Sequence, residues 1–217
     1  MNRQPILYLR ADIWAEELVV GGSVTHTVGV IKGFNDLGYP VVCASSCVFS
    51  ALDDLKIEEL VRLSNPRWLR GLRWKANCFL SSFFFFFQAK KLVKKYPICC
   101  IYQRYTLLNV TGVFLAYWYK KKLILEYNGS EVWTAFQWVQ KKKLTRLARP
   151  LAWFERWTMR QADHVVVVSE VLKNELIQWG VRPEKILVNP NGVDTEQFDP
   201  ERVKKRVEPC SINLQNH

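Results

Sequence analysis

Four short polar clusters in this sequence have residue types that could do chemistry. Gly21, Gly22 and Ser23 follow an apolar run and open a stretch of helical period. Paired glycines let backbone approach a ligand closely, and the free N–H groups of a helix start attract phosphate. A plain turn has the same composition. His26 falls one turn later, on the helix end that would face such a ligand. Tyr102–Tyr105 (YQRY) closes a second apolar run; Arg104 can pair with an anionic group and the tyrosines can stack on a sugar or base, unless this is a surface loop with an ordinary ion pair. Leu125–Trp133 (LEYNGSEVW) closes a third, placing Glu126 and Glu131 on either side of Asn128 and Ser130. Its simpler reading is an Asn-Gly turn with a capping serine. The fourth, Val188–Phe198 (VNPNGVDTEQF), ends a short apolar run abruptly at Asn189, Asn191, Gly192 and Asp194.

The elements that must position these clusters alternate between strand-length apolar runs and amphipathic stretches. Strands are expected at Ile6–Leu9, Val41–Ala44, Ile98–Tyr102, Leu123–Tyr127, His164–Val168 and Ile186–Val188. They show little apolar–polar alternation, as parallel strands covered on both faces do. Val24, Val28, Ile31 and Phe34 form one helix stripe ending at Gly38. Ser169 is the expected N-cap of a helix over Glu170–Trp179, closed by Gly180 and Pro183. This alternation predicts an α/β fold: a Rossmann-like, doubly wound, mostly parallel sheet with helices on both faces, binding ligands at the C-terminal ends of its strands. Residues 1–200 are expected to form the domain, and 201–217, which lack periodicity, a loosely ordered connector.

Length and composition suit one globular domain of 217 residues, with 49% hydrophobic and 24% charged residues. The net charge of +11 favours anionic partners: phosphorylated small molecules, acidic lipid or nucleic acid. No RNA-binding signature accompanies it, so nucleic acid is not the expected partner. The six cysteines show no zinc spacing, so reduced buried thiols, no metal and no cofactor are expected, and a cytoplasmic location with no leading signal. The most apolar stretch, Cys78–Phe87, is shorter than the ~20 residues a membrane-spanning helix needs. Phe83–Phe87 is expected in a core helix. Arg67–Lys75 and Phe136–Arg160 interleave basic with aromatic residues, and the former is expected at an anionic membrane surface. Pro150 should start or kink a helix.

From Ala162 to Pro200 the sequence resembles a known family. An Ala-Asp pair (Ala162-Asp163) precedes an apolar strand, Ser169 opens a helix, Gly180-Val181 ends it, Lys185 precedes a short strand, and Asn191–Asp194 follows with Phe198 and Pro200 beyond. This pattern is similar to the end of the N-terminal, acceptor-binding domain of retaining glycosyltransferases of the two-lobed GT-B fold, the family 4 type. Gly21-Gly22 with His26, and the stretch from Gly33 to Val42, resemble that family's opening helix and second strand. The resemblance implies one lobe of a GT-B enzyme that, when complete, transfers a sugar from a nucleotide-sugar to a lipid-linked or polysaccharide acceptor. It implies donor-phosphate contacts at Gly21, Gly22 and Ser23, acceptor contacts at His26, Arg104, Glu126, Asn128 and Glu131, and an interlobe hinge at Asn189, Asn191, Gly192 and Asp194. The family's retaining chemistry lets the departing phosphate oxygen take the acceptor proton, so no catalytic residue is assigned in this half. Many relatives have histidine where Asn128 stands, which makes hydrogen bonding the expected role there. The donor lobe's motifs do not occur in this sequence, so truncation or a separate donor-lobe chain is expected, with the chain inactive alone and peripheral at the inner membrane face. The alternative is a non-enzymatic basic α/β module binding anionic lipid or nucleic acid.

Overall fold

The computed structural model describes residues 3–12, 21–71, 74–137 and 145–192. Its elements run β1 (Ile6–Arg10), α1 (Gly22–Asp36), β2 (Val41–Ser45), β3 (Ile57–Arg62), α2 (Trp74–Lys95), β4 (Cys100–Arg104), α3 (Thr111–Tyr119), β5 (Lys122–Tyr127), α4 (Glu131–Gln137), α5 (Thr145–Gln161), β6 (His164–Val167), α6 (Glu170–Gln178) and β7 (Ile186–Val188). The seven strands form one sheet in the order β3-β2-β1-β4-β5-β6-β7, and every pairing is parallel. All C-terminal strand ends therefore share one rim. The chain winds outward from β1 to β3 and then returns to β4, so the order reverses between β1 and β4. In open α/β sheets a ligand crevice forms at such a switch point.

Two cores cover the two sheet faces. On one, Tyr8, Val41, Cys43 and Tyr102 pack against Val24 and Ile31 of α1. On the other, Leu7, Leu9, Ile101, Leu125 and Val165 pack against Phe85 and Leu92 of α2, Leu115 of α3, Met159 of α5 and Leu176 of α6. The period of two along each strand divides its residues between the faces. The expected doubly wound α/β sheet is the one observed.

Local signals explain the helix ends. Ser169 is extended and its side chain accepts from Leu172 N–H, the N-cap read from sequence. Gly180 closes that helix at φ 84°, in the left-handed region where glycine carries no Cβ penalty. Two details differ from the sequence reading and a third narrows it. β3 was not anticipated, because Glu58 and Glu59 interrupt an edge strand that is only partly buried. β4 starts two residues later than Ile98, since Ile98 and Cys99 donate to Tyr96 and Pro5 carbonyls before the ladder begins. Of the two roles expected for Pro150, starting a helix or kinking one, its place inside α5 removes the first.

The Phe83–Phe87 run is not a simple core segment. Phe85 is buried in the sheet-facing core while Phe83 and Phe87 are exposed, because five consecutive residues wrap more than a full helical turn. Arg67–Gly71 forms a short 3-10 turn whose Trp68 ring meets Phe84 edge-on at 6.0 Å. Leu72 and Arg73, residues 138–144, Asp194, Phe198, Pro200 and the 201–217 connector lie outside the described residues.

Candidate functional site

The rim residues of three neighbouring strands stand in one row. Arg10 of β1 is the register partner of Arg104 of β4, which is the partner of Glu126 of β5. Each sits two residues after a side chain in the α1-side core (Tyr8, Tyr102, Ile124), so all three face α1.

Glu126 is the hub of the first cluster. It is only 2% exposed, and its carboxylate accepts from Tyr102 Oη at 3.0 Å, Arg104 Nη1 at 3.2 Å and Asn128 Nδ2 at 2.6 Å. His26 Nε2 lies 2.9 Å from Glu126 Oε1, a close contact rather than a straight hydrogen bond. Burial alone would raise this carboxyl, but His26, the Arg104 charge and the Asn128 amide outweigh it and hold its pKa below the usual value. An ionised carboxylate thus gathers a guanidinium, an imidazole and an amide at the rim. Of the residues singled out in the sequence, His26, Arg104, Glu126 and Asn128 come together here.

The second cluster anchors the start of α1. Gly21 adopts φ 142°, a conformation that favours glycine, and among the described residues no side chain caps the helix. A Cβ on Gly22 would meet no atom within 4 Å, so the first turn borders open space. Beneath it Arg10, 1% exposed, donates from Nη2 to Ser23 Oγ at 3.1 Å, from Nη1 to Thr27 Oγ1 at 3.1 Å and Ser23 O at 3.3 Å, and from Nε to Asp12 Oδ2 at 2.8 Å. The Thr106 hydroxyl donates to Asp12 Oδ1, linking the β1 and β4 ends. The free N–H groups of such a helix start suit an anion, above an Arg10 guanidinium whose charge is paired with Asp12. Tyr8 bridges the clusters: its hydroxyl donates to Thr27 at 3.2 Å and its ring stacks on Tyr102 at 5.7 Å.

Glu131 has other partners. It accepts from Leu107 N–H at 2.7 Å, and burial, with Asp12 and Glu155 adding negative charge, pushes its carboxyl up to about 8. Glu155, reaching over from α5, accepts from Ser130 Oγ at 2.7 Å and from Glu131 N–H at 3.0 Å, and burial raises it to about 7. Ser130 in turn accepts from Trp133 N–H, so the capping serine read in the sequence is present and Glu155 holds it. At the end of β7, Asn189 N–H donates to Val167 O at 2.8 Å, and Asn191 and Gly192 are exposed. Among the described residues no group of three or more His, Cys, Asp or Glu could hold a metal ion.

Sequence reasoning passed over Arg10, Asp12, Tyr102 as a donor, Thr106 and Glu155. Arg10 ends a run of apolar residues and carries no motif; its only signal was a charge at the end of a strand otherwise entirely apolar.

Fold and rim together define a Rossmann-like α/β lobe whose polar groups converge at the switch point of a parallel sheet. The chain belongs to Glycosyltransferase Family 4, whose family model matches residues 20–197. Its fold is that of a glycosyltransferase from Rickettsia africae (20% identity, TM-score 0.57, covering 95% of this chain and 49% of that one). It is also that of HepE from Anabaena in complex with UDP-glucose (17%, 0.56, 94% and 49%) and of sucrose-phosphate synthase from Thermosynechococcus elongatus (16%, 0.65, 95% and 53%). The chain therefore spans about half the length of the solved structures it matches. A search of curated proteins finds no match.

Proposed function

We propose that this chain is the acceptor-binding lobe of a retaining glycosyltransferase that moves a sugar from a nucleotide-sugar to a lipid-linked or polysaccharide acceptor. The observation that carries the reading is the rim row, in which an ionised buried Glu126 holds Arg104, His26 and Asn128 beside the uncapped, Arg10-backed start of α1. Family membership supports glycosyl transfer as the reaction class, and the UDP-glucose complex of a similarly folded protein supports a nucleotide-sugar donor.

Transfer requires the departing diphosphate to be stabilised and the acceptor hydroxyl to be aligned. In this reading the N–H groups of Gly21, Gly22 and Ser23 meet the diphosphate, with the Arg10–Asp12 pair behind them. Arg104 and His26 orient the acceptor, and Asn128 hydrogen-bonds its sugar. Glu126 is a positioning residue, fixing Arg104 and His26. Glu131 supports the β4–α3 loop through Leu107 and so shapes the acceptor side indirectly. The donor sugar is held by a second lobe, in the same or a separate chain, entered through a hinge at Asn189, Asn191, Gly192 and Asp194. Alone, this chain binds acceptor but transfers nothing. It works on the cytoplasmic side, against the membrane that carries its acceptor.

Titrating the purified chain with undecaprenyl-phosphate analogues and oligosaccharides, by calorimetry, tests this. Wild type binds one of these classes, and Arg104→Ala or His26→Ala weakens binding about tenfold, as loss of a charged hydrogen bond does. Absence of binding to both classes, or sugar transfer from UDP-sugars by this chain alone, overturns the assignment.

A further inference from the structure

The helices on the sheet face opposite α1 carry an aromatic surface that stands exposed among the described residues. Tyr117 and Trp118 of α3 are 83% and 72% exposed, Trp153 of α5 is 62% exposed, and Phe79, Phe83 and Phe87 of α2 are also open. Ring contacts join the three helices: Phe83 meets Phe114 of α3 at 5.7 Å, Phe86 meets Trp118 at 6.4 Å, and Phe79 meets Phe154 of α5 at 6.4 Å. Contiguous aromatic exposure on this scale marks a binding surface.

Its charge names the partner. Between Glu59 and Glu126 the chain has 13 Lys or Arg and no Asp or Glu, leaving 18 against 20 in the rest, so the net positive charge belongs to this segment. The helical period interleaves charge with rings. Phe83, Phe87, Lys90 and Lys94 share one stripe of α2, with Lys90 Nζ 4.3 Å from the Phe87 ring centroid. Arg149, Trp153, Arg156 and Arg160 share an exposed stripe of α5. The only carboxylate on α2, α3 and α5 is Glu155, and it is buried.

We infer that the joined outer face of α2, α3 and α5 is the surface by which this protein docks on an anionic bilayer. Trp and Tyr settle at the headgroup level, Phe enters the acyl boundary, and Lys and Arg stay in the headgroup layer. No helix among the described residues is long and apolar enough to cross a membrane, so docking is lateral. Nucleic acid fits less well. Many of these rings meet edge to face, as Phe79 does with both Phe83 and Phe154, so their faces are not laid open as a platform for stacked bases. The inference rests on the membrane contact of the reading above and adds the outer face of α2, α3 and α5 to the Arg67–Lys75 stretch. It needs no sugar transfer, so either can fail while the other stands.

Co-sedimentation of the full chain with phosphatidylglycerol-containing vesicles tests it. Binding is expected to these vesicles and not to pure phosphatidylcholine, and to weaken with salt. Phe83→Ala/Phe87→Ala and Lys90→Glu/Lys94→Glu should each reduce it about tenfold or more, with circular dichroism checking the fold. As a second measurement on folded protein, brominated lipid should quench tryptophan emission less in Trp118→Phe/Trp153→Phe than in wild type. The inference is overturned by absence of binding, by equal binding to neutral vesicles, by unchanged binding in both double variants, or by binding to a single-stranded oligonucleotide with none to vesicles.

Discussion

Burying a guanidinium at the end of β1 is unfavourable unless its N–H groups find acceptors, and Arg10 finds them on Asp12, Ser23 and Thr27. Arg10→Met should leave Asp12 without its counter-charge and untie α1 from the strand. The expected loss is about 3–5 kcal/mol by urea unfolding. Arg10→Lys should recover little of it, because one ammonium cannot span three acceptors in a fork. Gly112 is a second demanding position. A Cβ there would collide with Gln103 Oε1, which accepts the Gly112 N–H at 2.7 Å. Gly112→Ala should therefore destabilise by roughly 1–3 kcal/mol, although alanine is ordinarily the better helix former. Neither residue belongs to a recognisable motif. Apart from Asp12, two residues from Arg10, the neighbours that matter are distant in the chain: Ser23 and Thr27 lie 13 and 17 residues from Arg10, and Gln103 lies 9 from Gly112, which spacing along the chain does not display.

Among the elements, α4 and its preceding turn depend on α5 through Glu155. Glu131 and Glu155 keep protons in the folded chain up to about 8 and about 7, whereas the unfolded chain releases them near 4.5. The folded state then binds more protons in this window, so stability should fall as pH rises from about 5 to 8 and level off above it. Glu131→Gln, which can still accept from Leu107, should flatten that fall; unfolding curves at pH ~5, ~7 and ~9 measure it. Glu126 acts in the opposite sense. Its folded pKa is lowered, so its contribution is present above the usual carboxylate value and is lost as pH falls through the folded one.

At the scale of the whole molecule, Asp163 and Lys185, two residues of the pattern that makes the family recognisable, lie at the opposite end of the sheet from the Arg104–Glu126 rim. Asp163 accepts from Lys122 and from Leu123 N–H, and Lys185 donates to Ala162 O, all at the strand starts. Those contacts tie β5, β6 and β7 together, while Arg104 and Glu126 stand at the strand ends. Lys185→Ala should thus lower stability by about 1 kcal/mol and leave acceptor binding unchanged. Arg104→Ala should weaken acceptor binding and lower stability as well, because it takes a charge partner from the buried Glu126 carboxylate. Thermal melts beside binding titrations separate the two.

Six of the seven strands, helices such as α1 and α6, the parallel sheet and the family were legible in the sequence, because they follow from apolar periodicity, capping residues such as Ser169 and Gly180, and local motifs. His26, Arg104, Glu126 and Asn128 were legible as rim residues for the same reason: each falls at a boundary between elements. That His26, Arg104 and Asn128 gather on the Glu126 carboxylate, that Arg10 underlies α1, and that Glu155 holds the turn containing Ser130 was decided by register and by packing between distant segments. The same holds for Phe83 and Phe87, apolar enough to be read as core. A run of apolar residues does not state which helical face a sheet will cover; only the docking of α2 against the strands selects it.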